Sequence, residues 1–199
     1  MKKNISIQQG SNFEMVVRWE SKNVVFKAVT GITKTAPPVL TVAGHAVPDG
    51  WRVGLTNIKG MTALNATHAP LEDADYYQAK LIGVDALSLD GIDATGLATY
   101  TSGGILRYFS PIDLAGYTAR MDIRSTLAST TVIFALTTGN TRIALNNVSK
   151  TITLAISAVD TALLTFTSGV YSLELVSGAG EVAQILNGTA KLIKEVTRP

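Results

Sequence analysis

Three groups of side chains in this chain are of types that could do chemistry. Glu72, Asp73 and Asp75 bring three carboxylates into one short run, and a hard cation such as Ca²⁺ takes several carboxylate oxygens at once. The run lacks the central Gly and the twelfth-position Glu of an EF-hand, so a solvated loop before a strand is the favoured reading. Asp85, Asp90 and Asp93 flank a turn whose Asp90-Gly91 step has its own conformational reason. His45 and His68 lie in loop-like sequence near Gly44 and Pro70. A Ser/His/Asp set can be drawn on paper, but there is no nucleophile elbow and no Gly-rich oxyanion segment. Gly103-Gly104 lacks the Lys and the following helix of a phosphate loop. Trp51, Tyr76, Tyr77, Tyr100, Tyr108 and Phe109 could line a sugar-binding face, although aromatics in a small β-domain more often fill the core. Cysteine is absent, which removes thiol nucleophiles, disulfides and thiolate metal ligands. The expectation is therefore no catalytic residue, no metal site and no cofactor.

The elements that would position these residues read as strands. Asn12–Glu20 places Phe13, Met15, Val17 and Trp19 on one face, and Tyr117–Arg124 places Tyr117, Ala119, Met121 and Ile123 on one face. That period-2 pattern belongs to strands with one side buried, and the two segments read as members of one sheet. Further strands are expected at Thr130–Leu136, Thr141–Leu145, Lys150–Ile156, Val170–Val176, Glu181–Leu186 and Thr189–Val196. A helical turn is expected at Ser157–Leu164, with Asp160 three residues after Ser157. Asn187-Gly188 reads as a two-residue hairpin turn. Between the flanks, short strands alternate with turn signals: Val24–Val29, Val39–Val42, Trp51–Leu55, Tyr76–Val84, Ala86–Leu89 and Ile105–Phe109. The reading is all-β: an antiparallel β-sandwich anchor formed by residues 1–21 plus 109–199, interrupted by a small β-barrel domain at 22–108.

Composition limits the partners. Charged residues make up 16% of the 199 residues and the net charge is +2, with no basic run that would suit nucleic acid. The opening MKKNISIQQGSNF has two lysines but no apolar stretch, so neither a signal peptide nor membrane insertion is expected.

Two resemblances can be placed on named residues. Pro111, Ile112, Asp113, Leu114, Gly116, Tyr117, Ile123 and Arg124, with Tyr171, Leu173, Glu174, Leu175, Gly188, Glu195, Val196, Thr197 and Arg198, resemble the pattern of small β-sandwich proteins of tailed bacteriophages. That family is similar to the N-terminal domains of baseplate upper proteins. The middle block resembles the small β-barrel named after the first catalytic-cysteine half-domain of ubiquitin-activating enzymes. The residues that carry this are His45, Val47, Gly50 and Val53, Gly60, Met61, Leu64 and Asn65, Leu89 to Asp93, and Tyr100 to Gly104. The expected third strand around Tyr76–Ala79 departs from the pattern, and without Cys no ubiquitin chemistry is carried over. The resemblance implies a non-enzymatic virion component of the tail tip, baseplate or fibre-attachment region, assembled in the bacterial host cytoplasm. Its implied partners are copies of itself and other virion proteins. A head decoration or head–tail joining protein is the alternative within that class. From another class, a carbohydrate-binding module would contact a host surface glycan through the aromatics of the insert.

Overall fold

The computed structural model describes residues 2–196. Its strands are β1 (Ile5–Gln8), β2 (Phe13–Val17), β3 (Glu20–Ala28), β4 (Gly31–Ile32), β5 (Val39–Thr41), β6 (Trp51–Lys59), β7 (Tyr76–Gly83) and β8 (Ala86–Leu89). They continue as β9 (Ser102–Pro111), β10 (Thr118–Arg124), β11 (Val132–Thr137), β12 (Ile143–Asn146), β13 (Thr151–Ile156), β14 (Ser168–Val176) and β15 (Val182–Ile193). The single α-helix among the described residues, α1 (Ala158–Ala162), is one turn capped by Ser157, whose Oγ accepts the Asp160 N–H. The protein is all-β. It divides into two compact units, Met1–Trp19 with Asp113–Pro199, and Glu20–Ile112.

In the first unit, a five-stranded sheet in the order β1-β15-β14-β10-β11 faces a three-stranded sheet, β12-β13-β2. Their inner faces share one apolar core. Met121, Ile123, Leu136, Leu173 and Leu175 come from the larger sheet, and Met15, Ile143, Ile152 and Leu154 from the smaller. The expected faces of both flanking segments are correct: Met15, Ala119, Met121 and Ile123 point inward. Their expected membership of one sheet is not, because β2 pairs with β13 and β10 pairs with β14 and β11. Alternation reports which face is buried and carries no information about which neighbour a strand bonds to.

Two further expectations change. Asn187-Gly188 is not a turn: β15 runs straight through it, with Asn187 opposite Ser172 and Gly188 opposite Tyr171. The glycine is there because β1, unassigned from sequence, lies alongside. Lys3 N–H donates to the Asn187 carbonyl at 2.8 Å, and a Cβ on Gly188 would overlap the Lys3 carbonyl. Gly inside a strand marks such a close backbone approach. The sandwich is also not purely antiparallel, since β1 pairs with β15 in parallel, Ile5 opposite Ala190 and Ile7 opposite Leu192.

The motif at Asp113–Tyr117 closes the entry to β10. Asp113 Oδ1 accepts the Ala115 N–H, Leu114 is buried, and Tyr117 N–H returns to the Leu114 carbonyl at 3.2 Å. Gly116 supplies the positive φ (74°) that a turn of this kind requires at that position. The Tyr117 ring then meets Trp19 edge to face, with centroids 5.7 Å apart. Of the C-terminal residues in that pattern, Thr197 and Arg198 lie outside the described residues.

The second unit is a seven-stranded sheet in the order β3-β9-β6-β7-β8-β5-β4. Its two end strands, β3 and β4, are consecutive pieces of one segment, so the sheet rolls into a barrel-like wrap. Trp51, Val53, Leu55, Leu106, Leu87 and Leu89 fill its interior. The unit takes in Glu20, Ser21 and residues 109–112 because β3 and β9 stay paired as far as Glu20 opposite Pro111. Asn57 (φ 60°) and Gly104 (φ 111°) sit between the Thr56–Ile105 and Ile58–Gly103 pairs as a distortion of the ladder, which is the role of the Gly103-Gly104 pair.

Candidate functional site

An open groove of about 810 Å³ lies on the outer face of the five-stranded sheet. Strand register builds it as a polar grid. One row is Arg120, Glu174 and Gln184, the next is Asp122, Ser172 and Asn187, and the third is Arg124, Val170 and Thr189. These are the outward positions of β10, β14 and β15, whose inward neighbours form the core, so the pleat itself produces the face. Arg120 pairs with Glu174 at 2.8 Å, and Arg124 pairs with Asp122 at 2.8 Å. Arg124 also donates to the Ser129 carbonyl at 3.0 Å, and Gln184 donates to Ser172 Oγ at 2.9 Å. Lys2 and the exposed Leu127 sit at the rim. Both carboxylates are held by guanidinium groups, and no His lines the groove. The arrangement offers a hydrogen-bonding face to a polar partner. It lacks a nucleophile with an adjacent base.

Of the residues singled out from the sequence, His68, Glu72 and Asp75 come together, and the others are used separately. Asp73 pairs with Arg52 at 2.9 Å, and Glu72 approaches His68 at 3.9 Å. Asp75 is buried, taking the Thr67 N–H and Oγ–H on Oδ1 and the Glu72 N–H on Oδ2, with His68 Nδ1 3.0 Å from Oδ2. Those donors, the Glu72 amide first and the Thr67 amide second, hold its carboxyl well below the usual carboxylate range. Asp85 accepts the Gly44 N–H and so ties two loops together, while Asp93 accepts from both the amide and the hydroxyl of Thr95 within its own loop. His45 is buried. Val47 N–H donates to its Nδ1 at 3.0 Å, so Nε2 carries the proton and donates to the Gly83 carbonyl at 2.9 Å.

The aromatics divide in the same way. Trp51 and Tyr108 are core residues, and Trp51 Nε1 donates to the Phe109 carbonyl. Tyr77 and Tyr100 use their hydroxyls on the backbone, Tyr77 to Leu64 and Tyr100 to Val29 and Gly103. Burial pushes the Tyr77 and Tyr108 hydroxyls up in pKa. Tyr76 and Phe109 stack on each other at 6.4 Å under the Arg52 guanidinium. The expected six-ring sugar face is therefore not assembled. The groove on the first unit escaped the sequence reading because its members come from three strands joined only by register.

Asp75 gives a pH prediction. Its folded pKa lies below the unfolded value, so its stabilisation is fully present above the ordinary carboxylate pKa and is lost as pH falls through and below it. Unfolding of Glu20–Ile112 should become easier below about pH 4. Asp75→Asn should lower the melting temperature of that unit at pH 7 by about 5–10 °C and flatten this acid dependence. Calorimetry between neutral and acid pH checks both.

The fold defines an all-β protein of two units, with a polar groove on one of them. No family model matches the chain, and no curated protein matches it. Among the described residues, no helix is long and apolar enough to cross a membrane.

Proposed function

We propose that the chain is a non-enzymatic structural protein of a tailed-phage virion, acting through protein–protein assembly in the tail tip, baseplate or fibre-attachment region. The observation that carries the assembly part is the rim of the larger sheet. β11 bonds to β10 alone, and residues 125–141 around it hold no charge. Natural sheets guard such edges with lysines, prolines or bulges, because an open strand templates another chain. Here one end is guarded: Asn140 takes the Thr137 N–H and donates to the Ala135 carbonyl, imitating a neighbouring strand. The other end has a register shift that skips Ile133, yet it leaves Val132 and Ile133 exposed, with no lysine or proline as cover. A second subunit supplies it in this reading. The residues behind the sandwich resemblance are consistent with the fold part of the proposal: Leu114, Ile123 and Leu173 are core, Gly116 makes a turn, and Gly188 admits the close approach of β1.

The purified chain should self-associate by light scattering and native mass spectrometry, or enter purified virions. Ile133→Lys should weaken that association about tenfold or more, equivalent to about 1.4 kcal/mol, without lowering the melting temperature. A clean monomer that also fails to enter virions counts against the structural role.

A further inference from the structure

Arg107 has no carboxylate as a counter-ion among the described residues. It lies in the middle of β9, on the outward side of the barrel-like sheet, in register with Phe26 of β3, Gly54 of β6 and, across Gly54, Tyr76 of β7. On the adjacent strand β6, two residues from Gly54 and on the same side, Arg52 shows what a satisfied guanidinium looks like. Its Nε and Nη2 grip Glu20 at 2.7 and 2.6 Å, its Nη1 holds Asp73 at 2.9 Å, and its plane covers Tyr76. The hydrogen bonds it donates to Glu20, ahead of the other causes, raise its pKa further.

Arg107 has the aromatic neighbour and lacks the carboxylates. Its guanidinium carbon is 5.8 Å from the Phe26 ring, and its Nε is buried without a hydrogen-bond partner. No carboxylate among the described residues pairs with it. On its other flank, Gly54 contributes no side chain, and Leu71 fills the space so closely that a Cβ on Gly54 would overlap its methyl group. The Arg107 stem thus passes Gly54, and its guanidinium lies beside Phe26, which is 60% exposed. A guanidinium fork matches a carboxylate with two parallel hydrogen bonds, and an unmade hydrogen bond on a buried donor is costly. An exposed ring beside it accepts an apolar face. The insert holds seven Lys and Arg against eight Asp and Glu, which suits one carboxylate and argues against a polyanion.

We propose that Arg107 and Phe26 form a binding site for a carboxylated saccharide, the guanidinium taking the uronate group and the Phe26 ring taking the C–H face of the pyranose. The site is independent of the assembly reading, which rests on β11 in the other unit.

The test is a titration of the full chain with a galacturonic-acid trisaccharide and with its methyl ester, followed by calorimetry and amide chemical shifts. The ester keeps the ring faces and removes only the charge. The acid is expected to bind and to shift the amides of β3 and β9, with affinity about tenfold lower for the ester and for Arg107→Gln. Phe26→Ala should weaken acid and ester alike, and Arg107→Lys should retain part of the acid preference, because a point charge replaces the fork. Absence of binding by the acid, equal binding of acid and ester, or unchanged acid binding by Arg107→Gln overturns the proposal. If Arg107→Gln melts early, Phe26→Ala together with the acid-to-ester ratio in the unaltered chain decides the same question.

Discussion

Gly188→Val is expected to strip β1 from the sandwich and lower the melting temperature of that unit by about 10–20 °C. The valine side chain has no room, because even a Cβ at this position overlaps the Lys3 carbonyl. Relief requires moving residues 3–8 away from β15. That motion exposes Ile5 and Ile7, both buried, and each fully buried Ile contributes about 1.5–3 kcal/mol. It also breaks the Lys3 and Gln9 hydrogen bonds to Asn187 and Ile193, and displaces the Tyr171 hydroxyl from the Lys3 carbonyl. A total on the order of 3–6 kcal/mol is a large share of the 5–15 kcal/mol that holds a domain together. A chain beginning at Gln9 should melt with a similar loss. Were Asn187-Gly188 a hairpin turn, removing the first eight residues would cost little, so the truncation separates the two arrangements. Thermal melts of both variants, with amide exchange at Ile7 and Leu192, provide the measurement.

Gly188 also shows where sequence reading fails. Asn-Gly between two apolar runs has two physical causes, a turn that needs positive φ and a strand that needs no Cβ. They differ only in what lies opposite. Here that is the backbone of residues 185 positions earlier, invisible to any local window. The same limit applies to β1. Ile5 and Ile7 alternate with Ser6 and Gln8, but four residues carry too little pattern to stand out from a polar terminus. Faces were legible for longer segments: Met15, Met121 and Ile123 all point where alternation places them. Partners were not, which is why β2 and β10 belong to different sheets. The helical turn was legible because its signal is local, Ser157 capping the Asp160 amide. Site residues were least legible. Trp51 and Tyr108 look like ligand-binding aromatics until burial is known, whereas Phe26 and Arg107 sit 81 positions apart and meet only through the register of β3 with β9.

Trp51→Ala is expected to remove about 3–5 kcal/mol from the unit Glu20–Ile112 and leave the other unit's transition in place. Trp51 is fully buried at the start of β6, packed among Val53, Leu55, Ala79 and Tyr108 in that unit's core, and its indole N–H holds the Phe109 carbonyl. Truncation therefore leaves a cavity and an unmet acceptor together, and the rigid wall of β-strands around it has little freedom to collapse. The separation of effects follows from connectivity. Only two chain crossings join the units, at Trp19–Glu20 and Ile112–Asp113, and the buried cores are disjoint sets of residues. A domain inserted with its ends side by side, as Glu20 opposite Pro111 places them, can melt without unthreading its host. Calorimetry of the variant should show one transition moved to lower temperature and one retained. A chain in which a short Gly/Ser linker replaces residues 20–112 supplies the reference for the retained one. If Trp51→Ala instead shifts a single transition for the whole chain, the two cores unfold as one cooperative unit, and the reading of an autonomous insert on a sandwich anchor is wrong.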